Sequence, residues 1–171
     1  MKQVSDYQRF IISVDPKAIL LFILIGFSSF HTYGQQALPL QDFIEQTDKG
    51  SSKRIVSLLT EVTSTLTLHK RNIIADEEPY PQKLTTDFAS LALLKEPNAK
   101  FRSVKGLEIK ISQVAEIGQI KLDPEALRHF PNLSYVLITS EVPLEVAQVD
   151  QMVVGFEPGD IVLLYQVSVL L

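Results

Sequence analysis

Three segments of the C-terminal half of the chain have the residue pattern of β-strands. The first is the amphipathic segment 103–112, and the other two are the apolar segments 133–138 and 161–169. Between the last two, apolar residues at helical spacing predict a helix over 143–154. A strand over 148–156 is the competing interpretation, and it would pair with the last strand as a hairpin across the intervening turn.

The N-terminal half combines short helical patterns with one alternating segment. Apolar residues at helical spacing predict a short helix that ends at Gly50 and a second helix near 53–61. Threonine and leucine then alternate over 63–69, which predicts a half-buried strand. Residues 70–83 are polar and contain two prolines and three adjacent acids, so we expect them to form the longest loop.

Two further helices are predicted from capping signals. Thr85 or Thr86 can cap a helix that Pro97 ends, because a proline disfavours helical geometry in the residue before it. Asp123 is followed by proline and glutamate, which is the pattern of a helix N-terminus. That helix must end before Pro131.

These elements predict an α/β fold. Four short helix-strand units follow one another, with strand centres near residues 66, 109, 136 and 165. Since parallel strands need crossover connections and the usual crossover is a helix, we expect a mainly parallel sheet with helices packed on it. The alternative is an α+β fold with a C-terminal β-hairpin.

Two of the predicted strands lie in a common sequence frame. Leu133, Val136 and Ile138 form the pattern LxxLxL, and Val104, Leu107 and Ile109 form it 29 residues earlier. The region 104–138 therefore resembles a degenerate leucine-rich repeat of an exported bacterial protein. The resemblance implies a binding module that holds partners on a curved, concave sheet face and has no catalytic machinery of its own.

The N-terminal region has the pattern of an export signal. Ala18–Phe27 is an unbroken apolar run of ten residues, preceded by Lys17, and it is too short to span a bilayer. We predict a signal peptide over 1–34, cut after Gly34, and a single globular domain over 35–171 that is secreted or periplasmic and has no membrane contact after cleavage. An uncleaved anchor is the alternative.

Composition narrows the function classes. Of the 171 residues, 46 % are hydrophobic and 21 % charged, the formal net charge is −4, and no cysteine is present. The missing cysteines exclude disulfides, thiolate metal sites and thiol nucleophiles, and the acidic balance argues against nucleic acid as a partner. The sequence contains no HExxH, P-loop or GxGxxG motif, so no cofactor is predicted.

Few residues suggest catalysis. His69, Asp76 and Asp87 are the candidate residues for the alternative function, a small secreted hydrolase or carbohydrate-active domain. His129 follows Arg128 and is expected to be a cation at the end of a helix. The acidic triplet Asp76, Glu77 and Glu78 is a weak candidate for calcium binding, because its oxygen ligands suit that ion but its spacing is not that of an EF-hand.

We therefore expect an exported, non-enzymatic interaction or structural domain of the bacterial envelope. The C-terminal strand, Ile161–Val169, ends close to the chain terminus, and at a sheet edge it could bind a protein partner by strand addition. The concave sheet face is the other candidate surface for a partner. The hydrolase is the alternative function.

Overall fold

The computed structural model describes residues 36–61, 63–75, 79–157 and 159–168. The predicted signal peptide, residues 1–34, lies outside the described residues, as does the acidic triplet at 76–78. Across the described ranges, no helix is both long enough and apolar enough to cross a membrane.

The described residues form a mixed α/β fold built on one sheet of seven strands. From one edge to the other the strand order is β1-β7-β6-β5-β4-β2-β3, and every neighbouring pair is parallel except the β2/β3 hairpin. The predicted mainly parallel sheet is therefore confirmed. The strands are β1 (Leu38–Pro39), β2 (Thr65–His69), β3 (Asn72–Ala75), β4 (Lys83–Asp87), β5 (Gly106–Ile111), β6 (Tyr135–Ser140) and β7 (Val162–Val167).

Short helices connect most of these strands. The two N-terminal helices lie between β1 and β2, and the others lie in the crossovers between β4 and β7. The α-helices are α1 (Leu40–Gln46), α2 (Lys49–Thr60), α3 (Val114–Ile117) and α4 (Val146–Asp150), and two 3-10 helices span Phe88–Lys95 and Ala99–Ser103.

The connections divide between the two faces of the sheet. The segments that follow β4, β5 and β6 pack on one face, where they bury the inward side chains of the strands in the larger core. These crossovers step along the sheet from β4 towards β7. Helices α1 and α2 lie on the other face and carry the chain the opposite way, from β1 to β2. Opposite directions on opposite faces give both sets of crossovers the same hand, as parallel sheets require.

The larger core is continuous beneath β2, β4, β5, β6 and β7. Phe101 and Phe130, from two successive crossovers, stack with ring centroids 4.5 Å apart. The second and third crossovers are joined by a parallel bridge between Leu122 and Val153, and the Leu122 amide donates to the Met152 carbonyl over 2.7 Å. The crossovers therefore stack against each other as well as against the sheet.

Helix α2 lies very close to the opposite face. A Cβ atom added to Gly106 of β5 would lie 3.0 Å from Cδ2 of Leu59 and 3.4 Å from Cγ of Leu58. Leu59 is fully buried, together with Leu137 and Leu164 of the neighbouring strands. The glycine thus permits the close approach of the helix to the sheet.

Several predicted elements are confirmed, but the loop predicted over 70–83 is wrong in part. Residues Asn72–Ala75 pair with β2 as an antiparallel strand, and β4 begins at Lys83. The prediction of Thr85 or Thr86 as helix caps is also wrong. Both residues lie within β4, and the helix that follows is a 3-10 helix capped by the Asp87 carboxylate.

The helix predicted from Asp123 does not form. The Asp123 carboxylate accepts from the Ala126 amide over 2.7 Å, as in a helix cap, but residues 124–129 continue as turns. This path brings Leu127 and Phe130 into the core, so tertiary packing overrides the local signal.

In the region 143–154, the helix is confirmed over Val146–Asp150. The alternative strand over 148–156 and its C-terminal hairpin are wrong, because residues 148–150 are helical, Val153 bridges to Leu122, and β7 pairs with β6 and β1.

The C-terminal strand is not the edge of the sheet. Leu164 and Tyr165 of β7 pair with Leu38 and Pro39 of β1, which covers the middle of the strand. The predicted edge position is therefore wrong at these residues. A two-residue N-terminal strand that contains a proline has no alternating pattern, so the sequence did not indicate it.

Candidate functional site

The sheet face that carries α1 and α2 is only half covered. The helices pack over β1, β7, β6 and the first residues of β5, and at the carboxyl-terminal half of the face they border only Gln166 of β7. There, one residue from each of six adjacent strands forms a polar cross-strand row. The row consists of Asn72, His69, Asp87, Lys110, Thr139 and Gln166.

Within this row, His69 and Asp87 form a contact between an imidazole and a carboxylate. Each is the last residue of its strand, and β2 and β4 are parallel neighbours. His69 Nδ1 lies 2.8 Å from Asp87 Oδ2, and the side chains are 51 % and 24 % exposed. In parallel sheets, the carboxyl ends of the strands are where ligands usually bind.

Asp87 also organises the chain around it. Its Oδ1 accepts from the Ser90 amide over 2.9 Å and caps the 3-10 helix, and its Oδ2 accepts from the Lys70 amide over 2.9 Å. Burial acts to raise the pKa of Asp87. The hydrogen bonds from the Ser90 hydroxyl and from the Lys70 and Ser90 amides, together with the adjacent His69, outweigh burial and lower this pKa.

The β2/β3 turn next to this pair has an uncommon backbone. Lys70 and Arg71 have φ of 49° and 64°, so both central residues of the two-residue turn are left-handed. Such turns usually contain asparagine and glycine, because other residues are strained there. The turn is held by the Lys70 bond to Asp87 and by the Arg71 amide, which donates to Ser90 Oγ over 3.0 Å.

A buried ion pair lies on the same face, under the end of α2. Lys83 Nζ is 2.7 Å from Glu108 Oε2 and donates to the Leu59 carbonyl over 2.5 Å. The hydroxyls of Thr85 and Thr139 donate to the two oxygens of Glu108 over 3.1 and 3.3 Å. Every oxygen of the carboxylate therefore has a partner, and the network connects three strands to the helix.

The structure brings together two of the three predicted catalytic candidates, His69 and Asp87. Asp76 lies outside the described residues. The last described residue before it, Ala75, pairs with Leu66, which is on β2 but three positions away from His69. His129 lies in a turn rather than at a helix end. Its Nε2 accepts from Arg128 Nε over 3.1 Å, and Arg128 forms an ion pair with Glu125.

Sequence reasoning missed the other members of the row. Lys110 stands beside Asp87 in the register of β4 and β5, and Thr139 stands beside Lys110 in that of β5 and β6. The polar positions that alternate with Leu107, Ile109 and Ile111 in β5 were the available signal. Their neighbours could not be known, because β4 carries too few apolar residues to be predicted as a strand.

The His69–Asp87 contact allows limited chemistry. A carboxylate that binds one imidazole nitrogen fixes the orientation and the tautomer of the ring, which suits a general base. Within the described ranges, however, no hydroxyl is hydrogen-bonded to the other ring nitrogen. Nor do the described residues contain a group of three or more histidine and carboxylate side chains placed to hold a metal ion.

Comparisons of the chain with protein-family models, curated proteins and solved structures found no match. The order of β4, β5, β6 and β7 along the sheet follows the sequence, with all three crossovers on one face. Leu107, Ile109, Val136 and Ile138, from the predicted LxxLxL frames, point into the core on that face. The relation to leucine-rich repeats is not confirmed by these features.

Proposed function

We propose that the described domain is a non-enzymatic binding domain that recognises a protein partner on the open half of its sheet. The observation that carries this proposal is the polar cross-strand row, which borders α1 and α2 only at Gln166 and continues beyond the helices over the other five strands. Both faces of a mainly parallel sheet are usually covered by helices. A polar part of a face that is left uncovered is therefore a candidate binding surface. Here the covering helices reach the row only at Gln166.

The side chains of the row favour a polar partner. They present two amides, an imidazole, a carboxylate, an ammonium group and a hydroxyl, all of which can form directed hydrogen bonds. Next to the row lie Thr67, Thr85 and Ile74, of which Ile74 is 55 % exposed and supplies an apolar contact at one end. We infer that the partner pairs hydrogen-bonding groups with the row and an apolar group with Ile74.

The consecutive parallel strands with crossovers on one face support the same function. In leucine-rich repeats this arrangement leaves the opposite sheet face for partners, and we propose that this chain uses its sheet in the same way. Strand addition at β7 is less favoured, since β1 occupies the middle of that edge. The apolar run Ala18–Phe27 supports export, so we propose that the partner is an envelope or extracellular protein.

Site-specific photocrosslinking tests the proposal. A photoreactive residue at Thr139 should crosslink one partner in the native envelope, whereas the same residue at Val114, which is exposed in the crossover after β5, should not. Lys110→Glu should abolish the Thr139 crosslink. Lys53→Glu changes the charge equally on α2, away from the row, and should preserve it. Equal crosslinking from Thr139 and Val114 would contradict the proposal.

A second candidate function is a small hydrolase, and the His69–Asp87 contact of 2.8 Å is the observation that favours it. In this interpretation His69 activates water as a general base and Asp87 orients it. Turnover of ester and glycan panels should then fall by about 100-fold or more in His69→Gln and Asp87→Asn. Turnover that is unchanged in both variants rules out these two residues.

A further inference from the structure

A pocket of about 440 Å³ lies at α1, but a second pocket of about 390 Å³ has a more distinctive chemistry. It lies between the first 3-10 helix, the β2/β3 turn and the segment 119–126. Its volume is within the range of small-molecule sites, roughly 300–1,000 Å³. Phe88, Leu91 and Ala126 are among the residues that line it, so the body of a small ligand could contact apolar groups.

Three cationic side chains share this pocket. Arg71, Lys95 and Lys121 come from three separate parts of the chain, and no carboxylate is among the described residues that line it. In the part of the chain that the structure describes, none of the three forms an ion pair. Cations that line one pocket repel each other, and a bound anion relieves that repulsion.

The backbone at Arg71 supports a role for its side chain. Its φ of 64° is strained for any residue with a Cβ, and glycine would remove the strain. The chain nevertheless places an arginine there and anchors it through Ser90 Oγ, which lies in the same 3-10 helix that forms the pocket wall. Strain of this kind is often found where a side chain must be presented to a ligand.

We propose that this pocket binds a small amphipathic anion. Its carboxylate or similar head group would contact Arg71, Lys95 and Lys121, and its apolar body would lie against Phe88, Leu91 and Ala126. An arginine can bind a carboxylate through two hydrogen bonds, and the lysines add charge. The pocket lies next to the cross-strand row but shares no lining residue with it, so this inference does not rest on the proposed function.

Calorimetric titration of the full-length chain tests the proposal with octanoate as the probe. Octanol has the same body without the charge, and acetate has the charge without the body. We expect saturable binding of one octanoate per chain and at least about tenfold weaker binding of the other two. Octanol that binds as tightly as octanoate, or octanoate that fails to saturate at millimolar concentration, overturns the proposal.

Two charge-matched variants locate the site. Lys95→Gln combined with Lys121→Gln should weaken octanoate binding roughly tenfold. Lys49→Gln combined with Lys53→Gln removes the same charge from α2 and should leave binding unchanged. Ala89→Trp places a bulky side chain in the pocket without a charge change and should also weaken binding. An equal loss in the two double variants, or full binding by Ala89→Trp, overturns the proposal.

Discussion

Lys83→Met is expected to cause a large loss of stability, because it breaks the buried pair with Glu108. The two side chains are only 10 % and 12 % exposed. Removing one partner of a buried pair leaves an uncompensated charge and typically costs about 3–5 kcal/mol. Glu108 keeps its bonds to Thr85 and Thr139, which reduces the cost, while the Leu59 carbonyl loses its donor. We expect a loss of about 3 kcal/mol.

Replacing both partners should be far less damaging. In Lys83→Met combined with Glu108→Met no unpaired charge remains, and substituting a buried ion pair with apolar residues of similar size is often neutral or stabilising. We expect the free energy of unfolding of the double variant to lie within about 1 kcal/mol of that of the original protein. The coupling energy between the two positions should therefore be about 2 kcal/mol or more.

Urea unfolding of the full-length chain measures these quantities from the midpoint and slope of the transition. Arg128→Met is the control, because it removes an ion pair to Glu125 whose side chains are 51 % and 69 % exposed. We expect it to cost less than about 1 kcal/mol. If Lys83→Met costs no more than this control with an unchanged slope, the pair is screened by solvent and the reasoning is refuted.

Three further predictions follow from the fold and the site. Because the folded-state pKa of Asp87 is lowered, its carboxylate stabilises the fold above the unfolded-state value of about 3.9, and this contribution disappears as pH falls through the folded-state pKa. Asp87→Asn should therefore be less stable than the original protein near pH 7, with the difference shrinking as pH falls below the unfolded-state pKa; a constant difference in urea midpoint contradicts this. Gly106→Val should lower stability by about 1–3 kcal/mol, because its side chain would overlap Leu59, and an unchanged thermal midpoint would show that α2 can shift without cost. Arg71→Gly should raise stability by about 1 kcal/mol through relief of left-handed strain, whereas Arg71→Val should lower it. Urea midpoints that shift in the same direction in both variants would rule out strain as the cause.

Local pattern was sufficient for elements that bury one apolar face. The strand β2 alternates, β5 has an amphipathic pattern and α2 has helical spacing, whereas β6 and β7 are apolar runs because residues on both of their faces are buried. In α2, the Asp48 carboxylate accepts from the amides of Gly50 and Ser51 and begins the helix slightly earlier than the serines that follow. The pKa of Asp48 is lowered, mainly by the hydrogen bond from the Ser51 hydroxyl.

Elements that depend on neighbours were not predictable. Strand β4 has Lys83, Thr85 and Asp87 on one face, and only Leu84 of its other two side chains is apolar, so its pattern resembles a loop. It is a strand because β2 and β5 pair with it on both sides and its polar side chains have partners on the sheet. The turn at Lys70 likewise depends on the Asp87 carboxylate, which is 17 residues away.

The same division holds for the candidate site. By itself the sequence determined that His69 and Asp87 are among the few residues suited to chemistry, and it determined a mainly parallel α/β sheet, because those inferences need only residue type and spacing. Only the tertiary structure decided that the two side chains are in contact, that a polar row crosses six strands, and that Arg71 shares a pocket with Lys95 and Lys121. Strand order and register set these distances, and both depend on how separate segments pack, which no local pattern specifies.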